Sequence, residues 1–109
     1  MKLLLKCNSI LETKAFYKEF LYFDVSDTAE NTCMVKNEDG SIIFSEGDNL
    51  GKHPGCSGTV YFYLYDVEAY YKAIENKVIL LWPLQHMSYG TQEFGIKEVN
   101  GYHLAFAQR

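Results

Sequence analysis

The same order of elements occurs twice in this chain, and this repetition limits its fold more than any other feature. The second copy ends in two strands of alternating side chains, residues 89–97 and 102–106, joined at Asn100-Gly101. Asn-Gly readily adopts the positive φ angles of a tight hairpin turn. A shorter hairpin, with Asp39-Gly40 leading into residues 41–44, ends the first copy. Each hairpin follows one amphipathic segment, so the sequence predicts a duplicated unit.

Each half also begins alike, with an apolar strand followed by a helix. Ser9 and Glu12 have the spacing of a capping box, which predicts a helix over residues 10–20. In the second half, Asp66 is a natural N-cap before a helical stripe that includes Val67 and Ile74. The predicted strands are residues 2–7, 22–27, 32–37, 41–45, 59–65 and 78–82, with turn-rich loops over 46–57 and 83–90.

Strand, helix and three strands therefore occur twice, which predicts an α+β fold of two βαβββ modules. We expect a single domain over residues 1–109, with module one at about 1–46 and module two at about 58–109. In such a unit the helix covers one face of its sheet and leaves the other bare. Two units can curve their bare faces, as one mixed sheet, around a concave groove, and small-molecule sites favour such concavities.

Composition excludes several classes of partner. The chain has 109 residues with a net charge of −4, so it offers no basic face for nucleic acid. No segment is long and apolar enough to span a bilayer, which argues against a membrane partner. The cysteines Cys7, Cys33 and Cys56 form no Cys-x-x-Cys pair and suit a reducing compartment. We therefore expect a cytoplasmic protein.

Three groups of residues have an order and spacing found in a known superfamily. They are Ala15-Phe16-Tyr17-Lys18 with Leu21-Tyr22-Phe23, Val60-Tyr61-Phe62 with Asp66-Val67-Glu68-Ala69, and Tyr89-Gly90-x-x-Glu93-Phe94 with Asn100-Gly101. In these groups the chain resembles the vicinal oxygen chelate superfamily, which includes glyoxalase I, extradiol dioxygenases and bleomycin-resistance proteins. The resemblance extends over nearly the whole chain. It implies the two-module fold and a homodimer.

Metal-dependent members of that superfamily place His, Gln or Glu at four strand positions. Aligned on the resemblance, these positions fall on Lys2, within the strand over 41–44, on Thr59 and on Ala105. These side chains do not provide the nitrogen and oxygen ligands that a divalent ion needs. The resemblance therefore implies the metal-free, bleomycin-resistance-like branch, and we expect neither a metal nor another cofactor.

Strand alternation selects the side chains that would face the groove. With Phe62, Phe94 and Phe106 beneath the second helix, their neighbours point the other way. The candidate ligand-binding residues are Lys6, Tyr61, Tyr63, Trp82, Tyr89, Glu93 and His103. Aromatic faces suit a flat or cationic ligand. Tyrosines in strands are also compatible with ordinary sheet packing.

Three functions remain open for this sequence. The first is metal-free binding of an aromatic or cationic small molecule, as in bleomycin-resistance proteins. The second is a lyase, isomerase or dioxygenase of the same superfamily, with a displaced metal site or with His103 as a general base oriented by Glu93. A module whose groove is filled by its own side chains is a third alternative. We expect binding rather than catalysis.

Overall fold

Two strand–helix–three-strand units follow one another in the computed structural model, which describes residues 2–46 and 58–109. The predicted joint over 46–57, Cys56 included, lies almost entirely outside the described residues. The elements group into two compact units, one on each side of that joint. The first unit contains β1 (Lys2–Lys6), α1 (Ile10–Glu19), β2 (Asp24–Asp27), β3 (Thr32–Lys36) and β4 (Ser41–Ser45). The second contains β5 (Thr59–Leu64), α2 (Val67–Ile74), β6 (Ile79–His86), β7 (Gln92–Lys97) and β8 (His103–Gln108).

Both units have the same mixed sheet. The strand orders are β1-β4-β3-β2 and β5-β8-β7-β6. The first and last strand of each unit pair in parallel, and the other neighbours pair antiparallel. The predicted α+β class with two βαβββ modules is thus confirmed. The predictions of a single domain and of a shared groove concern how the two units associate, and they stay predictions.

The two helices begin at the predicted caps. The Ser9 hydroxyl accepts a hydrogen bond from the Glu12 backbone N–H at 3.2 Å. The Asp66 carboxylate accepts one from the Ala69 backbone N–H at 3.1 Å. Each bond satisfies one of the amide groups that a helix start leaves without a partner within the helix. Neither helix in the described part of the chain has the length and apolar run needed to cross a bilayer.

The core of the second unit lies between α2 and the central strands of its sheet. Phe62, Phe94 and Phe106 are fully buried, and their rings stack at centroid distances of 5.3 to 5.6 Å. Tyr70 and Tyr71 of α2 pack onto the same rings. Alternation therefore identified the helix-facing side chains of these strands correctly. In the first unit, the corresponding core includes Tyr17, Cys33, Val35, Ile42 and Phe44.

Several predicted boundaries differ from those of the structure, and two of the differences have a clear physical reason. The strand expected to begin at residue 22 begins at Asp24, because Tyr22 has a φ of 59° and cannot continue an extended strand. The segment expected to be a loop from Pro83 onward is strand as far as His86. Among the described strands, β6 lies at the edge of its sheet and pairs only with β7. A proline is tolerated there because a backbone N–H facing outward is not needed for the sheet.

Candidate functional site

The candidate site lies on the face of the second sheet opposite α2, which we call the Glu93 face. Phe94 and Phe106 point toward α2, where they contact Tyr70. Their neighbours in sequence therefore point to the other side. The Glu93 face carries Tyr61, Tyr63, Trp82, Gln85, Glu93, Gly95, Ala105 and Ala107.

Strand pairing arranges these residues in two rows that run across the sheet. One row is Tyr61, Ala105, Gly95 and Trp82, and the next is Tyr63, Ala107, Glu93 and Gln85. The rows are two residues apart along each strand, or about 6.6 Å. In the first row, the two central residues have almost no side chain, and an aromatic residue lies at either end.

Glu93 is the one carboxylate on this face among the strand residues that the structure describes, and it is 1% exposed. One of its oxygens accepts a hydrogen bond from the Tyr61 hydroxyl at 3.2 Å, and the other accepts one from the Tyr89 hydroxyl at 2.5 Å. Among the described residues, no Lys, Arg or His forms an ion pair with it. Buried carboxylates are ordinarily paired with a cation or fully hydrogen-bonded. Glu93 therefore has only neutral hydroxyl partners within the described chain.

Tyr89 reaches Glu93 from the turn between β6 and β7. Its side chain is 61% exposed, and Gly90 follows it with a φ of 90°. The hydrogen bond to Glu93 raises the pKa of the Tyr89 hydroxyl above its ordinary value, because the bond holds the proton that titration must remove. At neutral pH Tyr89 is thus a hydroxyl donor that covers the carboxylate from the solvent side.

This pKa shift predicts how the protein titrates in alkali. A folded-state pKa above the unfolded value means that the Tyr89–Glu93 bond stabilises the fold below about pH 10, and that this contribution is lost as the pH rises further. In an ultraviolet titration, the wild type should therefore keep Tyr89 un-ionised at a pH where the other exposed tyrosines have titrated. Tyr89→Phe should remove that late-titrating group. If both proteins give identical late phases, the bond is absent.

Tyr61 and Tyr63 form the wall of the face along β5. Their rings stack at 6.2 Å between centroids with an interplanar angle of 24°. Tyr63 is 43% exposed. The inner tyrosine thus anchors Glu93 while the outer one presents a ring surface to the solvent.

Trp82 closes the first row at its other end. A Cβ placed on Gly95 would lie 2.6 Å from three atoms of the Trp82 six-membered ring, so the ring lies directly over the glycine. The pairing of β6 with β7 shifts register on both sides of Trp82. Such bulges redirect side chains. The buried indole N–H has no hydrogen-bond partner among the described residues.

The structure brings together only some of the predicted site residues. Tyr61, Tyr89 and Glu93 are joined by hydrogen bonds, and Tyr63 and Trp82 share their face. Lys6 lies in the first unit, buried at the end of β1 and opposite Ser45. That Lys6 contacts a ligand stays a prediction.

The predicted pairing of His103 with Glu93 is wrong. His103 is exposed and lies opposite Lys97, whereas Glu93 lies opposite Ala107. Four residues of extended strand, about 13 Å, separate the two positions. Glu93 therefore cannot orient His103 as a general base, and a ligand contact is the one role still predicted for this histidine.

Sequence reasoning overlooked the small residues of the face. Gly95 and Ala107 were not singled out, and Ala105 was not among the candidate ligand-binding residues. The available signal was the isolated Gly95 within a strand, since such a glycine often indicates the close approach of another group. Here that group is the ring of Trp82.

Two of the aligned metal positions, Ala105 and Thr59, do not fit a divalent ion. Ala105 has no donor atom and is buried beside Gly95, and Thr59 lies in the row of His103 rather than that of Glu93. Within residues 2–46 and 58–109, no three His, Cys, Asp or Glu side chains are grouped so that they could hold a metal. A divalent ion needs several oxygen or nitrogen ligands together, and the described residues do not offer them at these positions.

Solved structures match the fold of this chain over nearly its whole length. A glyoxalase/bleomycin resistance protein/dioxygenase superfamily member from Sphaerobacter thermophilus DSM 20745 has a TM-score of 0.79 at 16% identity, over 99% of this chain and 94% of its own. A glyoxalase/bleomycin resistance protein/dioxygenase from Nocardioides has a TM-score of 0.77 at 11% identity, over 99% and 81%. The chain has the fold of this superfamily.

TioX from Micromonospora sp. ML1 has the same fold, with a TM-score of 0.79 at 13% identity over 99% of this chain and 96% of its own. No family model and no curated protein matches the sequence. The resemblance to the vicinal oxygen chelate superfamily is thus confirmed for the fold. Identities of this size leave the activity to be argued from the side chains of the site.

Proposed function

We propose that this protein binds a flat, cationic small molecule on the Glu93 face without a metal ion. The observation that carries the proposal is the buried Glu93 carboxylate, which has two tyrosine hydroxyls and no cationic side chain as partners in the described chain. A buried carboxylate without a counter-ion is costly, and a bound cation would remove that cost.

The surroundings of Glu93 favour a flat cation over a compact one. Tyr61 and Tyr63 offer stacked rings along one side of the face. Aromatic faces attract cations through their quadrupole and pack well against planar groups. An amidinium or guanidinium group is planar and can donate two parallel hydrogen bonds to a carboxylate. The proposed ligand therefore carries a planar cation joined to an aromatic ring.

Access to the carboxylate runs through Tyr89. Its side chain is exposed and belongs to a turn, whereas Tyr61 belongs to a strand. We place the ligand's cation at the Glu93 oxygen to which Tyr89 donates, so that the ligand replaces a neutral hydroxyl with a charged donor. Charge-assisted hydrogen bonds are about twice as strong as neutral ones.

Three probes of nearly equal shape test this function. Benzamidinium, benzamide and benzoate share one ring and differ in charge, and their binding can be measured by calorimetry and thermal shift. We expect benzamidinium to bind at least about tenfold more tightly than benzamide, a difference of about 1.4 kcal/mol, and benzoate to bind weakest. Equal affinities for the three, or binding of none, would contradict the proposal.

Glu93→Gln supplies the matched control, because it keeps the size and loses the charge. It should reduce the preference for benzamidinium over benzamide to near unity while the affinity for benzamide changes little. Glu68→Gln removes a surface carboxylate paired with Lys72 on α2 and should leave the preference intact. If Glu93→Gln retains the full preference, the cation is recognised elsewhere.

The homodimer implied by the family resemblance is part of the proposal, as is the absence of catalysis. Sedimentation of the purified chain over a range of concentrations tests the first point. Metal analysis of protein prepared without a chelator tests the metal-free assignment. One divalent ion bound per chain would favour the enzymatic alternative.

A further inference from the structure

We propose that Trp82 is a displaceable plug, and that the aromatic ring of the ligand takes its place over Gly95 and Ala105. The inference rests on the proposed function of the Glu93 face and specifies where the ligand's ring lies. In the alternative, Trp82 is a fixed wall on which the ligand stacks.

Gly95, which lies beneath the Trp82 ring, and its neighbour Ala105 provide a flat floor. The two residues pair across β7 and β8, and both are buried. Neither carries a side chain beyond a methyl group. Moving the indole away would therefore open a flat slot beside Tyr61, which ends the same row.

The backbone at Trp82 permits such a movement. β6 has a single neighbour in the described part of the sheet, and its pairing with β7 is irregular on both sides of Trp82. Pro83 follows and has no N–H to donate to the sheet. The position of Trp82 therefore depends more on the packing of its ring over Gly95 than on regular backbone hydrogen bonds between β6 and β7.

The indole N–H lowers the free energy needed to move the Trp82 side chain away from Gly95. It is buried and lacks a partner among the described residues. A buried N–H without a partner is unfavourable, and rotating it into water restores its hydrogen bond. The hydrogen bond that the N–H gains in water thus offsets part of the packing free energy that Trp82 loses when it moves.

The distance between the two rows limits the size of the ligand and the position of its cationic group. A ring over Gly95 lies about 6.6 Å along β7 from the row of Glu93. A cationic group attached directly to the ring can span that distance to the carboxylate. The slot therefore selects one or two fused planar rings with a short cationic substituent.

Truncating Trp82 distinguishes the two roles, because ligand affinity should rise if Trp82 is a plug and fall if it is a wall. Trp82→Ala should bind both benzamidinium and benzamide about tenfold more tightly than the wild type, with the charge preference unchanged. Neutral indole should raise the melting temperature of Trp82→Ala but not that of the wild type, because indole refills the slot. Leu81→Ala, next to it on β6, should alter neither result. Weaker binding of both probes by Trp82→Ala would show that Trp82 is a wall.

The wild type provides a test that needs no variant, because Trp82 is the only tryptophan of the chain. Saturating benzamidinium should shift its emission to longer wavelength as the indole enters water, and an unchanged or blue-shifted emission would overturn the plug. Gly95→Ala should cause the same red shift without a probe, since the new methyl group would lie 2.6 Å from the ring. If all three probes fail to bind the wild type, the proposed function fails, whereas the indole test on Trp82→Ala still decides whether the slot exists.

Discussion

Phe106→Ala should lower the free energy of unfolding by about 3–5 kcal/mol, the largest stability effect that we expect in the second unit. Phe106 is fully buried and stacks with both Phe62 and Phe94, while Tyr70 packs on it from α2. Removing the ring leaves a cavity at the point where helix and sheet meet. Well-packed surroundings of this kind cannot close over such a gap, so the transfer cost and the cavity cost add.

Urea unfolding followed by Trp82 emission measures this loss, because Trp82 belongs to the same unit. Ile79→Ala is the matched control: Ile79 is 66% exposed on β6, and its truncation should cost no more than about 1 kcal/mol. A loss below about 1 kcal/mol for Phe106→Ala would mean that the ring lies outside the core. The sheet would then lack the packed aromatic core that fixes the strands carrying Glu93 and Gly95.

Most of the fold could be predicted from local pattern. The caps at Ser9 and Asp66 are chemical signals that depend on a few neighbouring residues, and the structure has both. Alternation assigned Phe94 and Phe106 to the buried side because one face of a half-covered sheet must be apolar. Such signals are local, and tertiary contacts did not override them.

The path of β6 could not be predicted in the same way. Pro83 in a sequence is ordinarily evidence for a loop, and only the position of the strand at an edge makes the residue acceptable. The two register shifts around Trp82 depend on how β6 pairs with β7, which no property of residues 79–86 alone determines. Periodicity therefore ended the strand too early.

The candidate site was predicted in composition but not in geometry. Tyr61, Tyr89 and Glu93 were all named, and the structure joins them by hydrogen bonds. His103 was assigned to Glu93 because the two share a face, but sharing a face does not make residues neighbours. The hairpin centred on Asn100 pairs His103 with Lys97, so register, rather than alternation, decides what Glu93 can contact.

We expect that register to depend on a buried carboxylate in the turn, and this gives the second large expected effect. Glu98 is 4% exposed, and one of its oxygens accepts hydrogen bonds from the backbone N–H groups of Asn100 and Tyr102 at 2.5 and 3.0 Å. Of the turn residues, Gly101 alone has a positive φ, so the turn is not the two-residue Asn-Gly hairpin that the sequence suggested. The side chain of Glu98 supplies acceptors that the backbone of this turn does not.

Glu98→Ala should therefore cost about 1.5–3 kcal/mol, because two backbone donors lose a charged acceptor in a buried position. Glu98→Gln keeps an acceptor oxygen and should cost less, whereas Val99→Ala in the same turn should stay within about 0.5 kcal/mol.

Urea unfolding gives the energies, and faster amide exchange at Asn100 and Tyr102 would locate the loss. A slip of one residue between β7 and β8 would turn Glu93 toward α2, so Glu98→Ala should also weaken benzamidinium binding. Wild-type stability and exchange in Glu98→Ala would mean that the pairing of β7 with β8 holds without this carboxylate.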